Sequence, residues 1–351
     1  MSAGNPLEII NLKDRSRTNA NKIVEAAASQ GFLMFEGHDF SQEEVELLFK
    51  ISKDFFKLPV EEKVKFNITL DNAGYTGMGV ENLEEDQLGK PIGDPKEGFN
   101  FASFDLTTAT PNQPIPPYFE DKMEMVKSTV LKLRKALSTA LELLAEGLEI
   151  KAQDGSIDNQ WFANRHADTD ASGTTFRFLH YPCPVAPGAT EEEKSKFSNL
   201  NVAGAHTDYG TVTLLFQQEG ESGLQIHSPV SKKWEEVPYV AARGEFAEKG
   251  EAAPLVVNIA DQLCYWTNGV LKSTIHRVRF PKDLLDQGKD RYSIVLFAHP
   301  GHDTVLEPVP SERIESVKGR GASYYMEKHG VSQTAGEHLN KRLSSTYGWK
   351  Y

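Results

Sequence analysis

His206-Thr207-Asp208 is a place in this 351-residue chain where neighbouring side chains could hold a metal. The sequence reads as though a strand begins there. In an extended chain residues i and i+2 point to the same side, so an imidazole and a carboxylate can converge on one point. His276, in the strand-like run 274–280, can supply a third ligand. Two histidines and one carboxylate cover one face of an octahedron. The opposite face stays open for a co-substrate and dioxygen, which is the facial arrangement suited to iron(II). A closed structural zinc site fits poorly, because the chain has two cysteines, Cys183 and Cys264, and no CxxC pair. A catalytic zinc with two histidines and a carboxylate stays open. With ten histidines an HxD pair also arises by chance, so the surrounding residues have to decide.

Fifteen positions after His276 comes Arg291-Tyr292-Ser293. Arg291 and Ser293 share a face of one strand. An arginine beside a hydroxyl can hold a carboxylate by charge-assisted hydrogen bonds. Arginines on strands are usually solvated, but this one leads into Ile294-Val295-Leu296-Phe297. Burial there without a partner would be costly.

The elements that must position these residues follow from the pattern of apolar residues. From about 122 to 148, Val126, Val130, Leu133, Leu137, Leu141, Leu144 and Leu148 recur at spacings of three and four. That is one apolar stripe on a long helix backing a core. Near the start, 21–29 has helical character and stops before Gly31, and Ser41 followed by Glu44 is a capping box. Residues 66–118 show little periodicity. After 170 the runs 175–181, 211–217, 223–227, 234–238, 255–259, 274–280 and 291–299 are rich in Val, Ile, Thr and aromatics and separated by turn residues. Many short strands without alternating helices predict a sandwich or barrel. The stretches 189–198 and 241–253 read as exposed insertions, and 322–348 as a polar helical end. Trp161, Trp234 and Trp349 read as packing or surface aromatics.

With 39% hydrophobic and 25% charged residues the composition is globular, and a core can be buried. A formal net charge of −12 argues against nucleic acid as a partner. No secretory signal or membrane span is visible, and the few cysteines suit a reducing compartment, so the cytoplasm or nucleus is expected. No specific protein partner is predicted.

The ordered series is specific. His206–Asp208, His276 and Arg291–Ser293 resemble the HxD…H…RxS pattern of the isopenicillin N synthase-like branch of 2-oxoglutarate/iron(II) oxygenases. PLEIINL, GFLMFEGH and FFKLPVEEKVKF resemble that family's N-terminal region, and GYTGMG and DPKEGFNF its middle. HYPCP, AHTDYGTVTLLFQ, SGLQIH, LVVNIADQL, NGVLKSTIHRVRF and RYSIVLFAHP resemble its catalytic core in order. The resemblance implies a distorted double-stranded β-helix, a jelly roll that is mainly β with backing helices. It implies an N-terminal mixed region over 1–120 and a catalytic core over 121–351, forming one unit.

The resemblance also implies iron(II), 2-oxoglutarate and dioxygen, with ascorbate as an activator and a small molecule as substrate. A C–H bond would be hydroxylated, desaturated or closed into a ring, with release of succinate and carbon dioxide. Tyr181 and Leu224 match residues that help to hold the co-substrate, alongside Arg291 and Ser293. One departure is Leu179, where many members carry asparagine. If Tyr181 points inward, strand parity turns Leu179, Arg177 and Thr175 inward too. Phe176, Phe178 and His180 then face the helices. The expected substrate pocket contains Arg177, Leu179, Leu215, Phe297 and Tyr75, with the 75–79 loop closing over it. Arg177 would anchor an anionic or strongly hydrogen-bonding substrate group. A protein acid such as Glu97 or Asp105 could equally be its partner, while Arg165 and Lys90 are less constrained. Two readings stay open beside this one: an oxidase of the same fold that does not consume 2-oxoglutarate, and a non-catalytic jelly-roll module.

Overall fold

A computed structural model describes residues 5–81, 83, 93–102, 104–105, 107–166, 171–197 and 200–347. Lys90 and Trp349 lie outside the described residues. In chain order the strands are β1 (Ile9–Asn11), β2 (Phe32–Glu36), β3 (Gly74–Thr76), β4 (Glu97–Phe101), β5 (Phe104–Asp105), β6 (Thr110–Pro111) and β7 (Thr175–Tyr181). They continue with β8 (Asn201–His206), β9 (Val212–Leu215), β10 (Leu224–His227), β11 (Trp234–Glu236), β12 (Leu255–Ile259), β13 (His276–Arg279) and β14 (Arg291–Ala298).

The larger sheet has the order β1-β2-β12-β9-β14-β7-β4-β3, and the smaller one β11-β10-β13-β8. Alternation along each strand gives the larger sheet two apolar faces. Phe176, Phe178, Ile294 and Leu296 join the core beneath the helices. Leu179, Tyr181, Val256 and Val295 face Ala203, Leu224, Ile226 and Val278 of the smaller sheet. The two sheets form the expected jelly roll, with the second apolar layer between them.

The long helix, Met123–Gly147, lays Val126, Val130, Leu133, Leu137, Leu141 and Leu144 into the outer core. Each such side chain contributes about 1.5–3 kcal/mol on full burial. Beside it runs the helix Arg17–Ser29, which ends as the sequence suggests: Gly31 takes φ +70°, a left-handed conformation that glycine adopts without a Cβ penalty. The Ser41–Glu44 capping box forms at the next helix.

Two expectations change, at 66–118 and at His206. Residues 66–118 contain β3 and β4, and β4 pairs with β7 along its whole length. Their sequences lack a clear alternation because β4 is buried throughout. The stretch 189–198 is exposed or half-exposed over its described residues, as expected, and carries a capped turn of helix over Glu191–Ser195. His206 ends strand β8 instead of beginning a strand, and Asp208 follows in the connection to β9.

Candidate metal and co-substrate site

His206 and His276 stand directly opposite each other on the paired strands β8 and β13, their ring centroids 4.3 Å apart. Each imidazole is oriented by its own strand. Nδ1 of His206 lies 2.6 Å from the Gly204 carbonyl, and Nδ1 of His276 lies 3.1 Å from the Thr274 carbonyl. Both rings therefore carry the proton on Nδ1 and turn a bare Nε2 to the same place. Asp208 Oδ1 is 3.7 Å from each of these Nε2 atoms.

Its other oxygen is held from behind. Asp208 Oδ2 accepts hydrogen bonds from Thr213 Oγ1 at 2.7 Å and Asn258 Nδ2 at 2.8 Å. Asn258 and Thr213 face each other across β12 and β9, so one rung of the larger sheet aims the carboxylate. The three side chains bring one ligand atom each within 4.8 Å of one another. Burial holds the His206 imidazole down to about 3, helped by the neighbouring His276. Burial pushes the Asp208 carboxyl up, but the two imidazoles and the two hydrogen-bond donors outweigh it and keep the group ionised. A charged carboxylate is the protonation state that metal binding requires of Asp208.

The cavity beside these atoms holds about 1090 Å³, open solvent at its mouth included. Tyr181, Leu224, Arg291 and Ser293 line it, as do Arg177, Leu179, Leu215 and Phe297. Register explains the grouping. Arg291 pairs with Tyr181, Ser293 with Leu179, Val295 with Arg177 and Phe297 with Thr175 across β14 and β7.

Arg291 is 4% exposed. Its Nε donates to the Ser222 carbonyl at 2.7 Å and its Nη1 to Ser293 Oγ at 2.7 Å. The Tyr181 ring lies 5.1 Å from the guanidinium carbon. Among the described residues no carboxylate pairs with this buried cation.

Arg177 differs. It faces the cavity, with its side chain seated over Gly98, where a Cβ would come within 3.0 Å of Nε and Nη2. Its Nη2 lies 2.6 Å from Glu81 Oε1, so its acid is neither Glu97 nor Asp105. Glu97 instead joins Lys63, Tyr75 and His180 on the outer side of β4. Tyr75 is the one expected pocket residue that does not line the cavity. Its hydroxyl donates to Glu97 at 2.5 Å, which draws the ring into the helical layer.

Several lining residues escaped the sequence reading. Asn258 carried a usable signal, an amide inside the apolar run LVVNI. His299 lines the cavity with a fully buried imidazole held neutral, down to about 3, by desolvation. Leu339 and Leu343 reach the cavity from the C-terminal helix Ala335–Tyr347, whose polar composition hid them. Arg342 ties that helix to Asp261 Oδ2 at 3.0 Å, and Asp261 also accepts from Thr207, which stands between His206 and Asp208.

Comparisons agree with this geometry. Residues 7–118 match a family described as the non-haem dioxygenase in morphine synthesis N-terminal region, and residues 177–300 match the 2OG-Fe(II) oxygenase superfamily. A 2-oxoglutarate-dependent dioxygenase of Didymella fabae is 30% identical over 79% of this chain and 78% of its own length. The 2-oxoglutarate-dependent dioxygenase tropC of Talaromyces stipitatus is 26% identical over 95% of this chain and 91% of its own. Among solved structures, a full-length Neurospora crassa protein in complex with alpha-KG and thymine shares the fold, with a TM-score of 0.75 and 24% identity over 98% of each chain. With that resemblance running through both sheets and the N-terminal region, the chain belongs to the 2-oxoglutarate/iron(II)-dependent oxygenases, in their isopenicillin N synthase-like branch.

Proposed function

We propose that His206, Asp208 and His276 hold the iron(II) of this oxygenase, that Arg291 and Ser293 bind the distal carboxylate of 2-oxoglutarate, and that Tyr181 and Leu224 flank it. The donor set fits a divalent metal: two oriented Nε2 atoms and one carboxylate oxygen converge, while the second oxygen is occupied by Thr213 and Asn258. When bound, iron(II) supplies the redox chemistry that couples 2-oxoglutarate decarboxylation and dioxygen to oxidation of a substrate C–H bond.

The chain's own residues position and enclose. Asn258 and Thr213 hold the Asp208 carboxylate in one orientation. Arg291 supplies the positive charge that a dicarboxylate needs at its far end. Leu179, Leu215 and Phe297 offer apolar surface to a small-molecule substrate, and the loss of asparagine at Leu179 removes one polar contact. The C-terminal helix excludes water on the side of Leu339 and Leu343.

The observation that carries the co-substrate assignment is Arg291: a buried guanidinium whose described partners are a carbonyl and a hydroxyl. A buried cation of this kind is costly unless an anion completes it. Arg291→Ala should weaken 2-oxoglutarate binding by about 2–5 kcal/mol, the worth of a buried charge-assisted contact. Iron(II) affinity should change little. Anaerobic calorimetry measures both. Unchanged 2-oxoglutarate affinity would move the carboxylate site elsewhere. Stoichiometric succinate release under oxygen, with iron(II) and ascorbate present, reports turnover.

No described helix is long and apolar enough to cross a membrane. The cytoplasm is the location this reading assigns, supported by two free cysteines.

A further inference from the structure

The cavity contains a second arginine whose situation is the reverse of Arg291. Glu81, Lys96 and Arg177 all line the cavity, and Arg177 stands four residues along β7 from Tyr181, the partner of Arg291. Arg177 Nη2 lies 2.6 Å from Glu81 Oε1, and Lys96 Nζ lies 3.3 Å from Glu81 Oε2. Lys96 also meets Asp94 Oδ2 at 3.1 Å, while Asp94 Oδ1 accepts from the Gly204 backbone at 3.2 Å. Glu81 is 2% exposed and Lys96 5%. Burial works against the Lys96 charge, but Glu81 and Asp94 outweigh it and keep the ammonium protonated.

Among the described residues two cations and two carboxylates therefore alternate here, with Asp94 behind the lining, and their formal charges balance. Glu81 is the shared member, one oxygen turned to each cation. An incoming carboxylate would find Arg177 already neutralised. It would also be repelled by Glu81, strongly so in a wall this poorly solvated. An uncharged polar group meets neither penalty.

We infer that Glu81 sets the charge preference of the substrate compartment, admitting uncharged polar substrates and turning anions away. This rests on the cavity being where substrate binds. It revises the expectation that Arg177 anchors an anionic group: Arg177 faces the cavity as expected, but its charge is already answered there. It also gives the two arginines separate tasks. Arg291 takes the co-substrate's anion, while the Arg177–Glu81 pair presents a dipole with no net charge.

Removing the Glu81 charge should convert the wall into an anion site. The test uses full-length protein loaded with manganese(II) and saturating 2-oxoglutarate, with benzoate and benzamide as probes of nearly equal shape. Wild type should bind benzoate no more tightly than benzamide. Glu81→Gln should shift the ratio at least tenfold towards benzoate, and benzoate should raise its Tm. The double variant Glu81→Gln/Arg177→Met should lose most of that shift.

If Glu81→Gln fails to fold, Arg177→Met supplies the opposite arm. It leaves Glu81 with one cation fewer, so binding of benzamidine, a cation, should rise at least fivefold over wild type. An unchanged benzoate-to-benzamide ratio in folded Glu81→Gln, or a wild type that already prefers benzoate tenfold, overturns the inference. So does unchanged benzamidine binding in Arg177→Met. Failure of manganese(II) or 2-oxoglutarate to bind would instead count against the oxygenase site. The comparison of wild type with Glu81→Gln would still report the charge of the compartment, because Arg291 is common to both.

Discussion

Asp208 differs from an ordinary buried carboxylate in how its two oxygens are divided. Thr213 and Asn258 engage Oδ2, and Oδ1 is left to the two imidazoles. Partners that orient a ligand matter nearly as much as the ligand itself, and their loss typically lowers metal affinity by about 10–100-fold. Asn258→Leu keeps the volume of the side chain and removes one donor. Iron(II) affinity in an anaerobic titration should fall within that range while the fold survives. If affinity is unchanged, Thr213 alone orients the carboxylate. At this scale the sequence was legible where strand parity applies. Arg177, Leu179 and Tyr181 face inward and Phe176 and Phe178 outward, as alternation requires. It was not legible where a partner comes from far along the chain, as Glu81 does for Arg177.

At the scale of elements, the larger sheet can hold Asn258, Thr213, Arg291 and Tyr181 in register because helices cover its outer face, Gln42–Phe56 lying over β14 and β7. The long helix crosses Arg17–Ser29 closely at Gly147. A Cβ there would lie 2.2 Å from the Ala20 carbonyl oxygen and 2.7 Å from a Val24 methyl. A backbone oxygen inside a helix cannot swing aside. Overpacking of this kind costs about 1–3 kcal/mol. The gain from replacing a helical glycine with alanine is smaller, about 0.5–1 kcal/mol. Gly147→Ala should therefore destabilise the protein, seen as a lower urea midpoint, with 2-oxoglutarate affinity unchanged. Equal or greater stability would mean that the two helices can separate without cost. The stripe on the long helix was plain in the sequence, whereas the closeness of its crossing was not. The C-terminal helix shows the same limit, since two leucines among polar residues do not announce a cavity wall.

For the whole molecule, buried histidines govern the response to pH. Desolvation holds His166 and His338 to about 4, and His299 to about 3. The unfolded chain takes up protons on these groups below about pH 6.5, while the folded chain refuses them. Stability is thus present near neutrality and is lost as pH falls, by about 2 kcal/mol per histidine at pH 5. His180 has the opposite sign. Burial disfavours its charge, but its hydrogen bonds to the Asp290 and Glu97 carboxylates outweigh it and raise its pKa. Its stabilisation is full below about pH 6.5 and fades as pH rises through the raised folded value. The Tm of metal-free protein should fall between pH 7 and pH 5, and His180→Asn should cost more at pH 6 than at pH 9. A penalty independent of pH would show that His180 contributes by stacking on Tyr292 and not by its charge.

The sequence by itself determined the candidate metal ligands, the arginine proposed for the co-substrate and the class of fold. Those depend on short-range rules: which residue types bind metal, which side of a strand they share, and the order of motifs along the chain. It could place His206 and Asp208 together even though Asp208 lies beyond the end of β8, because two residues is a short distance whatever the local conformation. Only the tertiary structure decided which groups neutralise one another. Pairing Glu81 with Arg177, Tyr75 with Glu97, and Asn258 with Asp208 requires strands and loops from distant parts of the chain to meet. Electrostatic and hydrogen-bond energies fall off over a few ångströms of space, not over positions in the sequence.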